Sequence, residues 1–595
     1  MDFQEEIDVK DKLKGDVKIP APILTRRILG YVKPEWLRFS AAGLLILVNV
    51  GLDIILPLIT KAITHNMTEG PIDLRYIISM AVAYFGICFF NNIFLYMESM
   101  VLQKAGQTVI YNIRNDVFTH IEGMSQNQFA EMPVGSLVTR VTSYTQSMSD
   151  LFTNVLVRVI KNLMTIVGVY VIMFFINWKL ALVLVAPVSI IFVSSLIFSK
   201  YVGKAFREER KNISELNAFT NENLSGMKIT QIFNREKKKA EEFDEKNDAL
   251  RKSRWRVILG FGIYRPFVTL VYISTVALSF RLGLTFGLEA AAIVAFYLYI
   301  GKFFNPVQEL ADQLNSIQKA FTASERIFNL LDTEAEVRDL PDAEELGDVK
   351  GRIEFDHVWF AYEGENWILK DVSFEIEPGD TCAFVGATGA GKTTILSLIV
   401  RNYEIQKGRI LIDGRDISHI KIKSLRRAVG QMLQDVFLFS GTVKTNISLH
   451  DESISDERIA DACRYVGADS FIEKLPDGYD SNIIERGENL SAGQRQLLSF
   501  ARTVLAEPRI LILDEATANI DTETEVLIQK SLEKMRSIGT MLVVAHRLST
   551  IQHADQIIVL QNGEIIERGT HQGLLAEHGY YYKLYELQFE NGQQE

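Results

Sequence analysis

The sequence predicts a membrane domain of six transmembrane α-helices with long cytoplasmic extensions, followed by a soluble α/β P-loop domain. Six apolar segments predict the first part, and the basic loops between them indicate its orientation. The run GATGAGKTT, residues 386–394, lies between a strand-like and a helix-like stretch and predicts the second part. With 595 residues, the chain is also too long for one hydrophobic core, so two or more domains are expected.

The composition excludes several other classes of protein. The net charge of −11 argues against a nucleic-acid-binding protein, which would usually be basic. Cys88, Cys382 and Cys463 are far apart and match no zinc or disulfide spacing, so free thiols are expected. The run MDFQEEIDVKDKLKGD is polar and acidic, which predicts a cytoplasmic tail over residues 1–20 rather than a signal peptide.

The membrane domain is expected over residues 21–330. Each of its six apolar segments approaches or exceeds the roughly 20 residues needed to cross the hydrocarbon core of a bilayer. The segments cover approximately residues 37–62, 76–97, 154–176, 178–202, 257–280 and 288–312. Six such lengths at these spacings argue against a soluble helical bundle.

The loops between the segments differ in charge. The stretch 203–255 is strongly basic, whereas the short loops on the other side have only isolated charges at Arg75, Lys179 and Arg281. Because cytoplasmic loops carry an excess of lysine and arginine, the N-terminus, both long loops and everything after residue 316 should be cytoplasmic. The stretch PILTRRILGYVKPEWL is expected to form an amphipathic helix along the inner membrane surface.

The two long loops, 98–153 and 203–256, keep a helical periodicity that is continuous with the flanking spans. Such helices should extend beyond the bilayer and contact a cytoplasmic domain. Small turns near Gly135 and Gly226 are the predicted contact points.

Three polar residues lie inside the predicted spans, namely Asp53, Asn91 and Asn92. A polar group at this depth is costly, so it usually faces a cavity or hydrogen-bonds to a neighbouring helix. All three are candidates for a substrate pathway. For Asp53 the sequence leaves both interpretations open, and for the two asparagines it favours a helix–helix hydrogen bond.

After an acidic linker over residues 331–350, the α/β domain is expected over residues 351–595. Its glycine-rich run has the pattern of a loop that wraps a phosphate, because its amides form an anion-binding nest at a helix start. In this pattern the lysine reaches the β- and γ-phosphates and the next residue offers a hydroxyl to Mg²⁺. The residues expected to bind nucleotide here are Gly386, Gly389, Gly391, Lys392, Thr393 and Thr394.

The strand-like run RILILDE, residues 509–515, ends in two acids. Asp514 is expected in the Mg²⁺ shell, and Glu515 is the predicted general base or water-orienting group for phosphoryl transfer. MLVVAHRLS contains the end of another strand, so His546 could touch the γ-phosphate and hold Glu515 in place. Gln434, in VGQMLQDVFLF, could sense both the metal and the membrane domain.

The ordered motifs over about residues 20–590 resemble an ABC exporter that fuses one six-span domain to one nucleotide-binding domain. The resemblance implies a RecA-like ABC domain with a helical subdomain, ATP and Mg²⁺ as cofactors, and the bacterial inner or plasma membrane as location. It also implies that the two predicted turns fall at or beside the coupling helices of the family. The remaining residues to which it gives roles are Tyr362 on adenine, Gln434 in the Q-loop beside Mg²⁺, Ser491, Ala492, Gly493 and Gln494 in the signature motif, Asp521 in the D-loop and His546 as the switch histidine.

Ala492 departs from the family form, which is LSGGQ where this chain has LSAGQ. In the family, the signature of one subunit completes the ATP site of the other, so the methyl group should narrow the backbone choices and crowd the partner's γ-phosphate. Together with a complete catalytic set in this chain, it resembles the catalytically competent subunit of bacterial heterodimeric multidrug exporters, whose partner has a degenerate catalytic site. A homodimer that tolerates alanine at two equivalent sites is the alternative.

The predicted function is ATP-driven export of amphipathic drugs or lipids by alternating access, together with a second half-transporter and in contact with membrane lipids. The alternatives are a homodimeric lipid or peptide exporter and an ATP-gated channel or sensor. A channel or sensor would be marked by a long regulatory insertion or a lost catalytic glutamate, and the sequence has neither. The six spans exclude a soluble ABC ATPase that acts on nucleic acid.

Overall fold

In the computed structural model, the described residues are 18–69, 71–432, 436–514, 522–544 and 551–592. The chain divides into two compact units. The first comprises Met1–Gly123 and Met132–Glu334, and the second comprises Met124–Glu131 and Ala335–Glu595. A short segment between two membrane helices therefore groups with the C-terminal domain.

All regular structure in the described part of the first unit is helical, and six helices are long and apolar enough to cross a membrane. In chain order, the helices up to residue 331 are α1 Ala21–Val32, α2 Trp36–Thr68, α3 Leu74–Glu122, α4 Gln126–Glu131, α5 Val134–Ile176, α6 Trp178–Ser225, α7 Met227–Ile232, α8 Glu236–Thr285 and α9 Ala290–Leu331. The six predicted spans lie in α2, α3, α5, α6, α8 and α9. The predicted six-helix membrane domain is thus confirmed.

The spanning helices continue far beyond a bilayer. Asp73 caps α3 by accepting hydrogen bonds from the amides of Arg75 and Tyr76. From there α3 continues for 49 residues. At about 1.5 Å per residue this is about 74 Å, compared with about 30 Å for a hydrocarbon core. The helical periodicity of the long loops therefore predicted real extensions of the spans.

Two short helices, α4 and α7, lie at the ends of these extensions. Gly226 separates α6 from α7, as the sequence predicts. The other predicted turn, near Gly135, is also present: the chain breaks at Pro133, and Gly135 itself lies in the first turn of α5. Proline has no amide hydrogen to donate and is therefore tolerated just where a helix begins.

The first unit packs around α9. Phe296, Tyr299 and Phe304 are buried in one cluster with residues of α2 and α5, among them Met173. The Tyr299 hydroxyl donates a hydrogen bond to the carbonyl oxygen of Ile54 at 2.7 Å. This bond satisfies a polar group that burial would otherwise penalise.

The second unit contains two main sheets. In chain order its strands are β1 Ile353–Ala361, β2 Trp367–Ile376, β3 Thr381–Gly386, β4 Lys407–Ile412, β5 Arg415–Asp416, β6 Val429–Met432, β7 Gly441–Thr442, β8 Asn482–Ile483, β9 Ile510–Asp514, β10 Thr540–Val544, β11 Gln556–Gln561 and β12 Glu564–Gly569. The first sheet has the antiparallel order β2-β1-β4-β5. The second has the order β12-β11-β3-β10-β9-β6, in which only β12 pairs antiparallel.

Helices cover the parallel sheet, since every residue of β9 and β10 is buried. The helices of this unit after residue 391 are α10 Lys392–Ile399, α11 Ile422–Ala428, α12 Val443–Ser448, α13 Asp456–Tyr465, α14 Asp469–Ile472, α15 Ala492–Leu505, α16 Thr522–Met535, α17 His571–Glu577 and α18 Tyr580–Gly592. Those from α12 to α15 lie between β6 and β9 in sequence and form the expected helical subdomain. In parallel sheets ligands bind at the carboxyl ends of the strands, so the candidate site is expected at the ends of β3, β9 and β10.

Candidate functional site

The glycine-rich loop joins the end of β3 to the start of α10. Gly391 precedes α10 with φ = +102°, a left-handed conformation that favours glycine. Gly386 lies against β11, and a Cβ atom there would be 2.2 Å from the carbonyl oxygen of Leu560. Glycine is therefore required at both positions, since Gly386 also has positive φ, +156°, and a Cβ atom at Gly391 would be 2.7 Å from Leu369 Cδ2.

Lys392 begins α10, and its side chain folds back over the loop. Its Nζ donates hydrogen bonds to the carbonyl oxygens of Gly386 at 2.7 Å and Ala387 at 3.0 Å. Only 6% of the residue is exposed. A buried ammonium at the N-terminus of a helix creates a positive pocket, which suits an anion such as a phosphate.

Asp514 ends β9 beside this loop. Because β3, β10 and β9 are adjacent and parallel, their carboxyl ends meet at one edge of the sheet. There the Thr393 hydroxyl donates a hydrogen bond to Asp514 Oδ1 at 3.4 Å. A hydroxyl and a carboxylate in contact are oxygen ligands of the kind that Mg²⁺ prefers. The structure thus brings Lys392, Thr393 and Asp514 to the same edge.

Tyr362 contacts the other end of the loop motif. Its hydroxyl lies 3.0 Å from the hydroxyl of Thr394, and the residue is 42% exposed. Its ring packs edge-on against Phe360 and Tyr403, with centroid distances of 4.9 and 5.1 Å. These contacts hold a half-exposed aromatic ring beside the phosphate loop, which is the arrangement that stacking on a nucleobase requires.

Four predicted site residues, Gln434, Glu515, Asp521 and His546, lie outside the residues that the structure describes. Their roles stay predictions from the sequence. Gly389 lies in the described part of the loop, with open space where a Cβ atom would be.

The signature run forms the N-terminus of α15. The Ser491 hydroxyl accepts a hydrogen bond from the amide of Gln494 at 3.2 Å. In return, the Ser491 amide donates to Gln494 Oε1 at 3.0 Å. This reciprocal pair is a capping box, and Gly493 is buried in the first helical turn. Two of the signature residues therefore define where α15 begins.

Ala492 occupies the first helical position of α15. It is not among the described residues with positive φ, and helical dihedrals are open to every L-residue. The narrower set of backbone conformations expected for alanine therefore includes the one found here. The partly exposed methyl group adds bulk at the end of the helix, so its expected effect is steric.

Within the membrane unit, Asp53 forms an ion pair with Lys302. The distance from Asp53 Oδ1 to Lys302 Nζ is 2.7 Å, and the pair joins α2 to α9. This contact favours the helix–helix interpretation of Asp53. The asparagines differ from expectation: Asn92 donates to the carbonyl of Cys88 one turn back in its own helix, and Asn91 Oδ1 has no hydrogen-bond partner among the described residues.

Comparison with known proteins identifies both units. Residues 39–307 match the family model described as ABC transporter transmembrane region, and residues 369–518 match the model described as ABC transporter. A putative ABC transporter ATP-binding protein, exp8 of Streptococcus pneumoniae, is 37% identical over 572 residues, which cover 95% of this chain and 97% of that protein. The chain belongs to the ABC transporter family.

Two further similarities relate this ABC transporter to exporters. The probable multidrug resistance ABC transporter ATP-binding/permease protein YheH of Bacillus subtilis is 39% identical, with 87% of this chain and 77% of that protein covered. A bacterial Atm1-family ABC exporter with ATP bound has a TM-score of 0.77 and 27% sequence identity, with 93% of this chain and 98% of that chain covered. The predicted fold of a six-span domain fused to an ABC nucleotide-binding domain is confirmed.

Membership of the ABC transporter family confirms several predictions at once. The chain is a multi-pass bacterial membrane protein whose ATP-binding domain is cytoplasmic. It is an ATPase that couples nucleotide hydrolysis to transport. As a half-transporter, it functions with a second half in a lipid bilayer.

All three cysteines of the transporter are free thiols, as the sequence predicts. Burial raises the pKa of the Cys463 thiol to about 12. Burial also raises the pKa of Cys382 well above its usual range. Both side chains are therefore protonated and unreactive at neutral pH.

Among the polar contacts between described membrane helices of the transporter, sequence reasoning missed at least three, and Lys302 takes part in one of them. In the second, Asn49 donates to Glu98 Oε2 at 2.5 Å, and both residues are buried. In the third, Asn162 donates to Glu309 Oε2 at 3.1 Å. Each residue is an isolated polar position in or near an apolar run, and its partner is on another helix, so no local pattern connects them.

We expect Asp53→Asn to destabilise the transporter by about 1–2 kcal/mol, because it removes the counter-charge of Lys302 between two helices. The double variant Asp53→Asn/Lys302→Met should recover most of this loss, since it removes both charges. Thermal unfolding in detergent, arranged as a double-mutant cycle, measures the coupling. Equal stability of the single variant and the parent would contradict the pairing.

Proposed function

We propose that this chain is one half of a dimeric ABC exporter that uses ATP to move amphipathic small molecules, such as drugs or lipids, across the bacterial membrane. The proposal is carried by the meeting of Lys392, Thr393 and Asp514 at one sheet edge in a chain with six membrane-crossing helices. The similarity to a probable multidrug resistance transporter supports the substrate class.

The residues at this edge fit ATP with Mg²⁺. The loop carbonyls already orient the Lys392 ammonium, so little side-chain entropy is lost when a phosphate replaces them. Thr393, Asp514 and, by prediction, Gln434 would hold the metal. When bound, Mg²⁺ would neutralise charge that develops on the phosphates during transfer.

In the proposed mechanism, Glu515 orients the attacking water and takes up its proton, while His546 positions Glu515 and contacts the γ-phosphate. Tyr362 stacks on the adenine ring, and Asp521 lies in the loop that faces the second ATP site. Binding of ATP draws two nucleotide domains together, and the helical extensions transmit this movement to the spans. Hydrolysis then separates the domains and resets the transporter.

The signature motif also bears on the identity of the partner subunit. Ser491, Gly493 and Gln494 keep the family form, whereas the Ala492 methyl group adds bulk where the partner's nucleotide would bind. We propose that the partner is a different chain, in which ATP hydrolysis is expendable. A homodimer is the second candidate, and the ordinary helical conformation of Ala492 favours it, because such a residue costs little at two equivalent sites.

The partner is tested by purifying the tagged chain from its native host in mild detergent and identifying the proteins present in equimolar amount. The expected result is a second half-transporter that lacks the glutamate after its Walker B aspartate. An active dimer of this chain alone would contradict the heterodimer without contradicting the proposed export function. Export itself is tested by ATP-dependent accumulation of fluorescent amphiphiles in inside-out vesicles, and its absence for drugs and lipids alike would contradict the proposed function.

A further inference from the structure

Near the cytoplasmic ends of the spans, the first unit contains a cavity of 780 Å³, which we call the cationic cavity. One face each of α5, α6 and α9 lines it. Four of its lining residues are cations, Arg207 and Arg210 on α6 and Lys319 and Arg326 on α9. Its volume lies within the range of small-molecule sites in proteins, about 300–1,000 Å³.

Helical spacing explains why α6 directs these cations into the cavity. Arg207 and Arg210 are one helical turn apart and therefore share a face. The two glutamates between them form ion pairs with arginines of α8 instead. These pairs are Glu208–Arg256 and Glu209–Arg254. No aspartate or glutamate is among the described residues that line the cavity.

Among the cations of α9, Arg326 is held in place by Tyr144 of α5. Its guanidinium group donates a hydrogen bond to the Tyr144 hydroxyl and lies 5.3 Å from the centre of the ring. In the part of the chain that the structure describes, no carboxylate forms an ion pair with Arg207, Arg210 or Lys319. Cations grouped in a cleft with low-dielectric walls focus the electric field and attract anions.

A second cavity, of 240 Å³, adjoins the first, and we call it the aromatic cavity. It shares Gly203 and Phe206 with the cationic cavity, so the two are continuous along α6. The rings of Phe198 and Tyr264 stack in its wall with their centroids 3.9 Å apart. Phe261 contributes a third ring, and the guanidinium group of Arg265, which also lines the cavity, lies 5.5 Å from its centre. Such a wall suits a ring or an alkyl chain of a ligand.

We propose that the two cavities form one binding site for an amphipathic organic anion, whose carboxylate, sulfonate or phosphate lies in the cationic cavity and whose apolar part lies in the aromatic cavity. Phe198 and Arg210 are separated along α6 by about 18 Å. A ligand with a charged head and an apolar body fits this length, whereas an inorganic anion would use one cavity only. The inference rests on the proposed export function and narrows its substrate class.

Two sources offer this chemistry, a soluble organic anion from the cytoplasm and the headgroup of an anionic lipid in the inner leaflet. The test uses the whole transporter, with its partner, in nanodiscs of phosphatidylcholine. Pyrenebutyrate, pyrenebutanol and pyrenebutyl-trimethylammonium share one apolar body and differ in the charge of the head. Fluorescence titration against empty nanodiscs gives a Kd for each probe. We expect the anion to bind at least about tenfold more tightly than the alcohol, and the cation most weakly.

The variants assign the binding to the cationic cavity. Arg207→Gln/Arg210→Gln should raise the Kd of pyrenebutyrate at least about tenfold and leave that of pyrenebutanol unchanged. Lys211→Gln is the matched control, because Lys211 is the next cation on α6, pairs with Glu215 and does not line the cavity. This control should bind all three probes as the parent does. Unchanged pyrenebutanol binding shows that the double arginine variant is folded, and Lys211→Gln should also keep the basal ATP hydrolysis of the parent.

The possible results distinguish the binding site, its occupant and the proposed export function. Competition by phosphatidylglycerol added to the nanodiscs supports the site and identifies lipid headgroups as its occupants, whereas tight binding without competition supports a soluble anion. Unchanged anion binding in the double arginine variant, or equal affinity for all three probes, overturns the inference. If the inference fails in this way but neutral or cationic amphiphiles are exported, the proposed export function is still supported. Anion binding without ATP-driven accumulation in vesicles would instead support the site and contradict export.

Discussion

Replacing Glu515 by glutamine is expected to slow ATP hydrolysis by about 10²–10⁴-fold, the usual contribution of a general base, while ATP binding is retained. Glutamine keeps the size of the side chain and its hydrogen-bonding oxygen but cannot accept a proton from water. Asp514, Thr393 and Lys392 are unchanged in this variant, so the contacts to the metal and the phosphates persist. Phosphate release by the purified transporter measures the rate, and nucleotide retained after gel filtration measures binding.

Glu507→Gln is a suitable control for this experiment. Glu507 is an exposed glutamate that pairs with Arg458 at 2.8 Å, and it lies before β9 rather than after it. Its replacement should leave hydrolysis close to that of the parent. Normal turnover in Glu515→Gln would contradict the role of Glu515 as general base, and loss of nucleotide binding would show that it acts on affinity instead.

Gly386→Ala is expected to destabilise the nucleotide domain strongly. The new Cβ atom would be 2.2 Å from the carbonyl oxygen of Leu560, and a backbone atom in a neighbouring strand cannot move aside as a flexible side chain can. Forced separation of β3 from β11 should cost about 3 kcal/mol. Hydrogen exchange of peptides from these two strands, in the absence of nucleotide, measures the loss of protection.

Gly389→Ala is the control for this experiment. It separates the steric conflict at Gly386 from the effect of any glycine-to-alanine change in the loop. Nothing lies within 4 Å of a Cβ atom at this position, although φ is +83° and some strain is expected there too. Protection of β3 and β11 should stay near that of the parent. Equal loss of protection in the two variants would show that loop conformation, and not the approach of Leu560, makes Gly386 necessary.

The fold was predictable wherever one physical constraint acts over a long stretch of sequence. Spans need about 20 apolar residues, and the periodicity of the long loops revealed their helical extensions. Turn positions were harder, because both Pro133 and Gly135 interrupt the same pattern and only the structure shows that the break lies at the proline. The inclusion of Met124–Glu131 in the second unit depends on contacts distant in sequence, which no local pattern records.

The candidate site also has parts that the sequence predicts and parts that it does not. The phosphate loop was predictable because glycine spacing, a helix start and a lysine act together within nine residues, 386–394. Lys302 was not, since its partner Asp53 is on another helix and a single lysine in an apolar run has several interpretations. The cationic cavity is not predictable for a related reason: in the sequence Arg207 and Arg210 belong to a basic loop, and only packing against α9 brings Lys319 and Arg326 to the same space.

The position of Ala492 has a consequence for how two halves of such a transporter diverge. Within a helix, alanine is favoured over glycine by up to about 1 kcal/mol, so the step from LSGGQ to LSAGQ does not weaken the start of α15. A lineage in which one composite ATP site has become dispensable can therefore accept this change without a compensating mutation. Helix stability would not favour the reverse change, so folding gives no reason for LSAGQ to return to LSGGQ.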